Sequence, residues 1–174
     1  PFIVGDVRDQ QALTQVLLET KAVAVLHFAG LSDVGESVRD PLPYYDVNIG
    51  GALALAGAMA ATNIDALIFS STCAVYGTPE VIPIAESAPL APINPYGVSK
   101  MSGGRIVADA GAAHGIRTMT LRYCNAAVAD PEGEIGARHD PETHLIPLAL
   151  RAALPGDFTL KVMGEDYPTP DGTA

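Results

Sequence analysis

The segment Asn94-Pro95-Tyr96-Gly97-Val98-Ser99-Lys100 sets a phenol and an ammonium four residues apart, just after a predicted helix start. That spacing puts both side chains on one helical face, one turn apart. An ammonium held there favours the phenolate and pulls a tyrosine pKa from about 10 toward neutrality. The pair therefore reads as a proton-transfer device. With six Tyr and only Lys21, Lys100 and Lys161 as lysines, composition alone predicts about 0.1 such matches in the chain. A solvated tyrosine beside an exposed lysine has the same spacing, so context must decide.

The elements that would position the pair follow from periodicity. Phe2-Ile3-Val4 reads as a strand end with Gly5-Asp6 as its turn, and residues 9–20 carry Ala12, Leu13, Val16 and Leu17 at helical spacing. Residues 22–28 form an apolar strand ending in Ala29-Gly30, residues 42–61 a long helix, and residues 66–69 a strand followed by a Pro-rich loop over 78–95. The helix bearing Tyr96 and Lys100 runs to His114, with Gly115 as its stop. Residues 116–123 read as a strand and 124–142 as a long loop. Thr143 caps a helix through Ala153, and residues 159–163 make a last strand.

Unbroken apolar strands separated by helices predict an α/β fold with a parallel sheet covered on both faces. Ligands bind beyond the carboxyl ends of such strands. There lie Ser70-Ser71-Thr72, Asn125, and Ser32 with Ser37, at the edge where the Tyr96 helix begins.

The whole chain bounds these readings. Its 174 residues are one domain's worth and its apolar content is 48%, which excludes a disordered or fibrous protein. A net charge of −10 argues against nucleic acid as a partner. No run of about 18 apolar residues is unbroken, so no membrane span is expected. No basic-then-apolar leader opens the sequence, and a cytoplasmic location is expected. Cys73 and Cys124 lack metal-ligand spacing and read as buried, small apolar residues in a reducing compartment. His27 reads as a core histidine. Both ends, at Pro1 and Ala174, look cut.

Several stretches in order carry a resemblance. They are Gly5-Asp6-Val7-Arg8-Asp9, His27-Phe28-Ala29-Gly30, Val34-Gly35-Glu36-Ser37-Val38 and Tyr44-Tyr45-Asp46. Further on come Phe69-Ser70-Ser71-Thr72-Cys73-Ala74-Val75-Tyr76-Gly77, the Tyr96 motif, Leu121-Arg122-Tyr123 with Asn125, and Gly164-Glu165-Asp166-Tyr167-Pro168-Thr169. With them the chain resembles the extended short-chain dehydrogenase/reductases of the NAD-dependent epimerase/dehydratase family, and within it the 4-epimerases of UDP-glucose and UDP-galactose.

The resemblance implies a Rossmann-like, doubly wound parallel sheet and NAD as cofactor. Tyr96 would take the proton of the sugar 4-hydroxyl, with Thr72 as the relaying hydroxyl. Lys100 would hydrogen-bond the nicotinamide ribose and, with the positive cofactor, lower the Tyr96 pKa. Asp6 and Val7 would meet the adenine end, Phe28, Ala29 and Gly30 would line the cofactor, and Asn48 would contact it from the long helix. For the UDP-sugar, Asn125 would lie near the diphosphate or sugar, and His144 and Leu145 near the uridine. His139, Asp140, Glu142 and His144 cluster in sequence, but the family implies no metal there. A homodimer is implied for the full-length protein.

Departures from the family pattern are equally specific. No Gly-x-Gly-x-x-Gly or Gly-x-x-Gly-x-x-Gly loop occurs, so residues 1–174 are expected to be a partial domain. It would start at the third strand, lacking the first β-α-β unit and the C-terminal substrate-domain part. Ser32, Val128 and Ala137 stand where Lys, Gly and an acidic residue are usual. Gly103-Gly104 sits inside the catalytic helix, where each Gly costs about 1 kcal/mol relative to Ala. Three alternatives stay open: a non-catalytic remnant, an interaction module, and a 4-epimerase of xylose/arabinose or N-acetylated UDP-sugars. A 4,6-dehydratase is disfavoured, because Cys73-Ala74 rather than Asp-Glu follows Thr72.

Overall fold

The computed structural model describes all residues except 127–129, 137, 138, 163, 168, 173 and 174. The chain divides into two compact units, Pro1–Asn125 and Ala126–Ala174.

In the first unit, helix α1 (Gln10–Thr20) starts at Asp9, whose side chain accepts from the Ala12 N–H, and ends on Lys21 in the left-handed region. Strand β1 (Val25–His27) is followed by helix α2 (Val34–Arg39) and a short turn of helix, α3 (Leu42–Tyr44). A π-helical segment, Tyr45–Ile49, then leads into α4 (Gly50–Thr62). The helix expected over 42–61 is thus present but widened by one π turn, and that turn carries Asn48. Such wide turns recur where a helix must aim a functional side chain.

Strand β2 (Ala66–Thr72) runs into a 3-10 turn, Cys73–Tyr76, and the Pro-rich loop leads to α5 (Pro95–His114) and strand β3 (Arg117–Tyr123). Gly77 opens that loop at φ 64°. A Cβ there would lie 2.0 Å from the Ala91 carbonyl oxygen, so only glycine lets the two ends of the loop meet.

The sheet is parallel, in the order β1-β2-β3. Parallel crossovers are right-handed, and an order that never reverses sends each one over the same face. Accordingly α1, α4 and α5 share one core with β2. It contains Leu17, Ala52, Leu55, Met59, Leu67, Phe69, Val107 and Ile116. Phe69 is 1% exposed at its centre; truncating such an aromatic typically costs about 3–5 kcal/mol.

The other face of the sheet is less covered. The cross-strand row Leu26–Ile68–Met119 lies there, and Leu26 and Met119 are more than half exposed. Among the described residues the three strands carry the winding of one side only.

Some expectations need correction. Phe2, Ile3 and Val4 are not in a strand and are exposed, because no described strand lies beside them to pair with. Cys73 is half-buried and Cys124 exposed rather than core, since both lie past the strand ends.

In the second unit α6 (Leu145–Ala153) forms, but His144 occupies its N-cap position and no side chain caps it, so Thr143 is not the cap. The described residues 159–162 are irregular rather than a strand. Met163, Val128 and Ala137 lie outside the described residues.

Candidate active site

The start of α5 is fixed before any chemistry is considered. An α-helix leaves its first N–H groups without intrahelical partners. Pro95 has no N–H to satisfy and brings a pre-set φ. Tyr96 N–H donates to Ser37 Oγ of α2 at 3.2 Å, Gly97 N–H to Asn94 Oδ1 at 2.8 Å, and Val98 N–H to the Asn94 carbonyl. Ser37 Oγ in turn donates to the Val34 carbonyl at 2.7 Å. Tyr96 therefore leaves the helix at a rigid point, at the positive end of the helix dipole.

Tyr96 is half-buried and lies near enough to the Thr72 hydroxyl for that group to lower its pKa. Thr72 is 8% exposed at the carboxyl end of β2, where its Oγ1 accepts from the Ala74 N–H at 3.1 Å. The Tyr44 ring meets Tyr96 edge-on, with centroids 6.5 Å apart. Tyr44 itself donates to Glu36 Oε2 at 2.8 Å. Burial, then Glu36, pushes its pKa up to about 12, so it stays a phenol.

Lys100, one turn on, is 5% exposed and has no hydrogen-bond partner among the described residues. Its Nζ lies over the Phe69 ring, 5.3 Å from the centroid. Burial lowers its pKa to about 8. The neighbouring His27 is buried and stacked on Phe69, as a core histidine should be. Burial, and then the Lys100 charge, lowers its pKa to about 4.

The electrostatics correct one expectation. Burial raises the Tyr96 pKa, the Thr72 hydroxyl is what lowers it, and Lys100 is not among its causes. The reason is geometric: the ammonium leans onto Phe69 and toward Gly30, where an added Cβ would sit 3.6 Å from Nζ.

Asn48 is engaged by the protein. Its Oδ1 accepts from Leu31 N–H at 2.9 Å, and its Nδ2 donates to the Leu31 carbonyl at 3.1 Å and to Ser99 Oγ at 2.9 Å. Ser99 Oγ donates to the Tyr96 carbonyl at 2.8 Å. Asn48 thus ties the loop after β1 to the helix that carries Tyr96 and Lys100. With both N–H groups spent, it shapes the site rather than offering a free donor. Gly30 leaves no room for more: a Cβ would meet Asn48 Oδ1 at 2.7 Å. The Asn48–Ser99 and Tyr44–Glu36 links were not foreseen. Their one signal is a polar Asn in an otherwise apolar helical run.

The remaining candidates divide. Phe28, Ala29 and Gly30 are exposed at the end of β1, on the side of Asn48 and Lys100. Asp6 is held in a fork by Arg8, which also pairs with Asp46; the Arg8 contacts lower the Asp6 pKa to about 2. Any ligand of Asp6 must compete with that guanidinium. Val7 packs its side chain over Gly51 of α4, docking the N-terminal segment. Asn125 is exposed just beyond β3.

His144 and Leu145 belong to the second unit and are exposed. There Glu142 Oε1 faces His144 Nδ1 at 2.7 Å, and Oε2 lies 3.7 Å from His139 Nδ1. These ligand-type atoms gather within 4.8 Å. Glu142 also accepts from the backbone N–H groups of Thr143 and His144, so its charge is met without a cation.

The site fits a dinucleotide at one point. The Lys100 ammonium, without a hydrogen bond among the described residues, lies near Gly30 at the end of β1, in the helix that also carries the Tyr96 phenol.

Comparison with known proteins agrees in fold. A family model described as "NAD dependent epimerase/dehydratase family" matches residues 1–174. A protein of Rhizobium meliloti named UDP-glucose 4-epimerase is 53% identical over 169 residues, which are 97% of this chain and 52% of that protein. The crystal structure of UDP-glucose 4-epimerase from Brucella ovis in complex with NAD superposes with a TM-score of 0.88 at 46% identity, covering 98% of this chain and 52% of that one. The Bifidobacterium longum enzyme, in complex with NAD+ and UDP, gives 0.91 at 39% identity, covering 98% and 52%. The chain spans about half the length of the curated relatives it matches.

Proposed function

The chain belongs to the NAD dependent epimerase/dehydratase family, and from that premise we propose that it carries the proton-transfer and nicotinamide-ribose groups of a UDP-sugar 4-epimerase interconverting UDP-galactose and UDP-glucose. Lys100 carries the reading. Lys100 is 5% exposed as a residue, burial alone lowers its pKa to about 8, and no hydrogen bond among the described residues holds its ammonium, so a ligand oxygen would find a donor there. It lies beside Gly30 and one helical turn from Tyr96.

NAD held by these residues would supply reversible hydride acceptance at sugar C4. The protein's own groups do the rest. Tyr96 takes the proton of the sugar 4-hydroxyl, and the neighbouring Thr72 hydroxyl relays it. Lys100 donates to the nicotinamide ribose. Burial holds Tyr96 above its ordinary pKa in the chain by itself, so the base form requires positive charge close to the phenol. Phe28, Ala29 and Gly30 line the cofactor, and Asp6 and Val7 serve its adenine end. Asn48 contributes by holding the loop that follows β1.

On the sugar-nucleotide side, Asn125 serves the diphosphate or sugar, and His144 and Leu145 the uridine. Residues 1–174 form part of a larger domain in this reading, in keeping with the 52% coverage of the relatives. A homodimer and a cytoplasmic location complete it; among the described residues no helix is long and apolar enough to cross a membrane.

The test is conversion of UDP-galactose by the full-length protein with NAD. Formation of UDP-glucose supports the reading, and a folded, NAD-loaded protein without turnover on it sinks it. Turnover confined to UDP-N-acetylgalactosamine would reassign the sugar.

A further inference from the structure

We propose that Cys73 and Cys124 form an oxidation site, at which a peroxide converts the two thiols into a disulfide across the carboxyl edge of the sheet. The placement follows from register. Thr72 of β2 and Tyr123 of β3 are paired at the strand ends, and each cysteine is the first residue past its strand, Cys73 opening the 3-10 turn. Neighbouring strands lie about 4.8 Å apart. A disulfide needs Cα atoms about 4.4–6.8 Å apart. The cysteines are also the only two in the chain, and both line one small groove with Tyr76, Ile84, Glu86 and Arg122.

The thiols sense each other. Burial raises the Cys73 thiol pKa, and the nearby Cys124 thiol raises it further. Cys124 is exposed and is the sulfur that a peroxide meets first. The Arg122 guanidinium, which donates to Tyr76 Oη and the Glu86 carbonyl, adds positive charge to the same groove.

The steps balance. The Cys124 thiol attacks one peroxide oxygen, the O–O bond breaks, and a sulfenic acid and water form. The Cys73 thiol then attacks that sulfur, its proton leaves with the sulfenic hydroxyl as a second water, and the S–S bond closes. Two electrons pass from the two sulfurs to the peroxide. The bond would clamp the turn that begins after Thr72 onto the end of β3, next to Thr72. The site itself stands independently of the epimerase reading, because its readout is the bond.

The experiment exposes the full-length protein to stoichiometric hydrogen peroxide, blocks remaining thiols with iodoacetamide and maps peptides without reduction. A linked pair containing Cys73 and Cys124, abolished by dithiothreitol, is expected in the monomeric chain. In Cys124→Ser, Cys73 should keep its iodoacetamide label after the same exposure. In Cys73→Ser, Cys124 should be trapped as a sulfenic acid by dimedone. Full labelling of both thiols in the wild type, linkage found only between molecules, or equal oxidation of Cys73 in Cys124→Ser would overturn the proposal.

Discussion

Replacing Asn48 by Leu should unfold more than it disables. The side chain is 3% exposed and makes three hydrogen bonds, to Leu31 N–H, the Leu31 carbonyl and Ser99 Oγ. Leucine matches its size but offers no polar atom. Each neutral hydrogen bond contributes about 1 kcal/mol net, and a partner left buried and unpaired costs about 1–3 kcal/mol. Ser99 keeps its bond to the Tyr96 carbonyl, and half-buried Leu31 can recruit water, so the lower range applies. The expected loss is about 2–4 kcal/mol. Urea unfolding of the full-length protein at pH 7, followed by circular dichroism, measures it. Asn48→Asp supplies an internal check: it keeps the acceptor for Leu31 N–H but turns lone pairs toward the Leu31 carbonyl. It should lose as much at pH 7 and regain part at acid pH, where its protonated carboxyl supplies one donor. A loss below about 0.5 kcal/mol for Asn48→Leu would refute the reasoning that this residue ties the β1 loop to α5.

Four further outcomes follow from burial and packing. His27 has a folded pKa of about 4 against an unfolded value of about 6.5, so the unfolded chain binds the proton first. Its contribution is intact above pH 6.5, is lost as pH falls toward 4, and should cost about 2 kcal/mol at pH 5 in urea titrations; His27→Gln should flatten that slope. Lys100→Met should stabilise the ligand-free protein at pH 7 by about 1–3 kcal/mol, because burial alone holds the ammonium's pKa near 8, while lowering NAD retention after gel filtration. A Cβ added at Gly104 would make only ordinary contact, with Thr120 Cγ2 at 3.7 Å, so Gly104→Ala should gain about 1 kcal/mol in thermal unfolding. Gly103→Ala should lose stability instead, since its Cβ would lie 2.8 Å from Phe69 Cζ in the core.

That contrast shows what was legible in the residues alone. Gly103 and Gly104 look identical in sequence; only packing against Phe69 separates them. The helix bearing Tyr96 and Lys100, its Asn94 cap and its Gly115 stop were readable, because capping chemistry is local. So were the parallel strands, whose apolar runs announce themselves. The π turn at Asn48 was not, since it arises from long-range bonds to Leu31 and Ser99. Nor was the single covered face of the sheet, because strand order is a tertiary property. The direction of Lys100 was hidden for the same reason. Spacing fixes the helical face, but the aromatic ring of another element decides where the ammonium rests. Asp6 looked like a free carboxylate, and Arg8, two residues on, occupies it.

The proton-transfer role of Tyr96 is tested most directly by Tyr96→Phe in the full-length protein, assayed for UDP-galactose to UDP-glucose conversion alongside NAD content. Removing the hydroxyl leaves the ring to pack against Tyr44 and leaves Lys100 in place. Turnover should fall by at least about 100-fold, the scale of a general acid–base contribution, with NAD still bound. Near wild-type turnover in that variant would contradict the assignment.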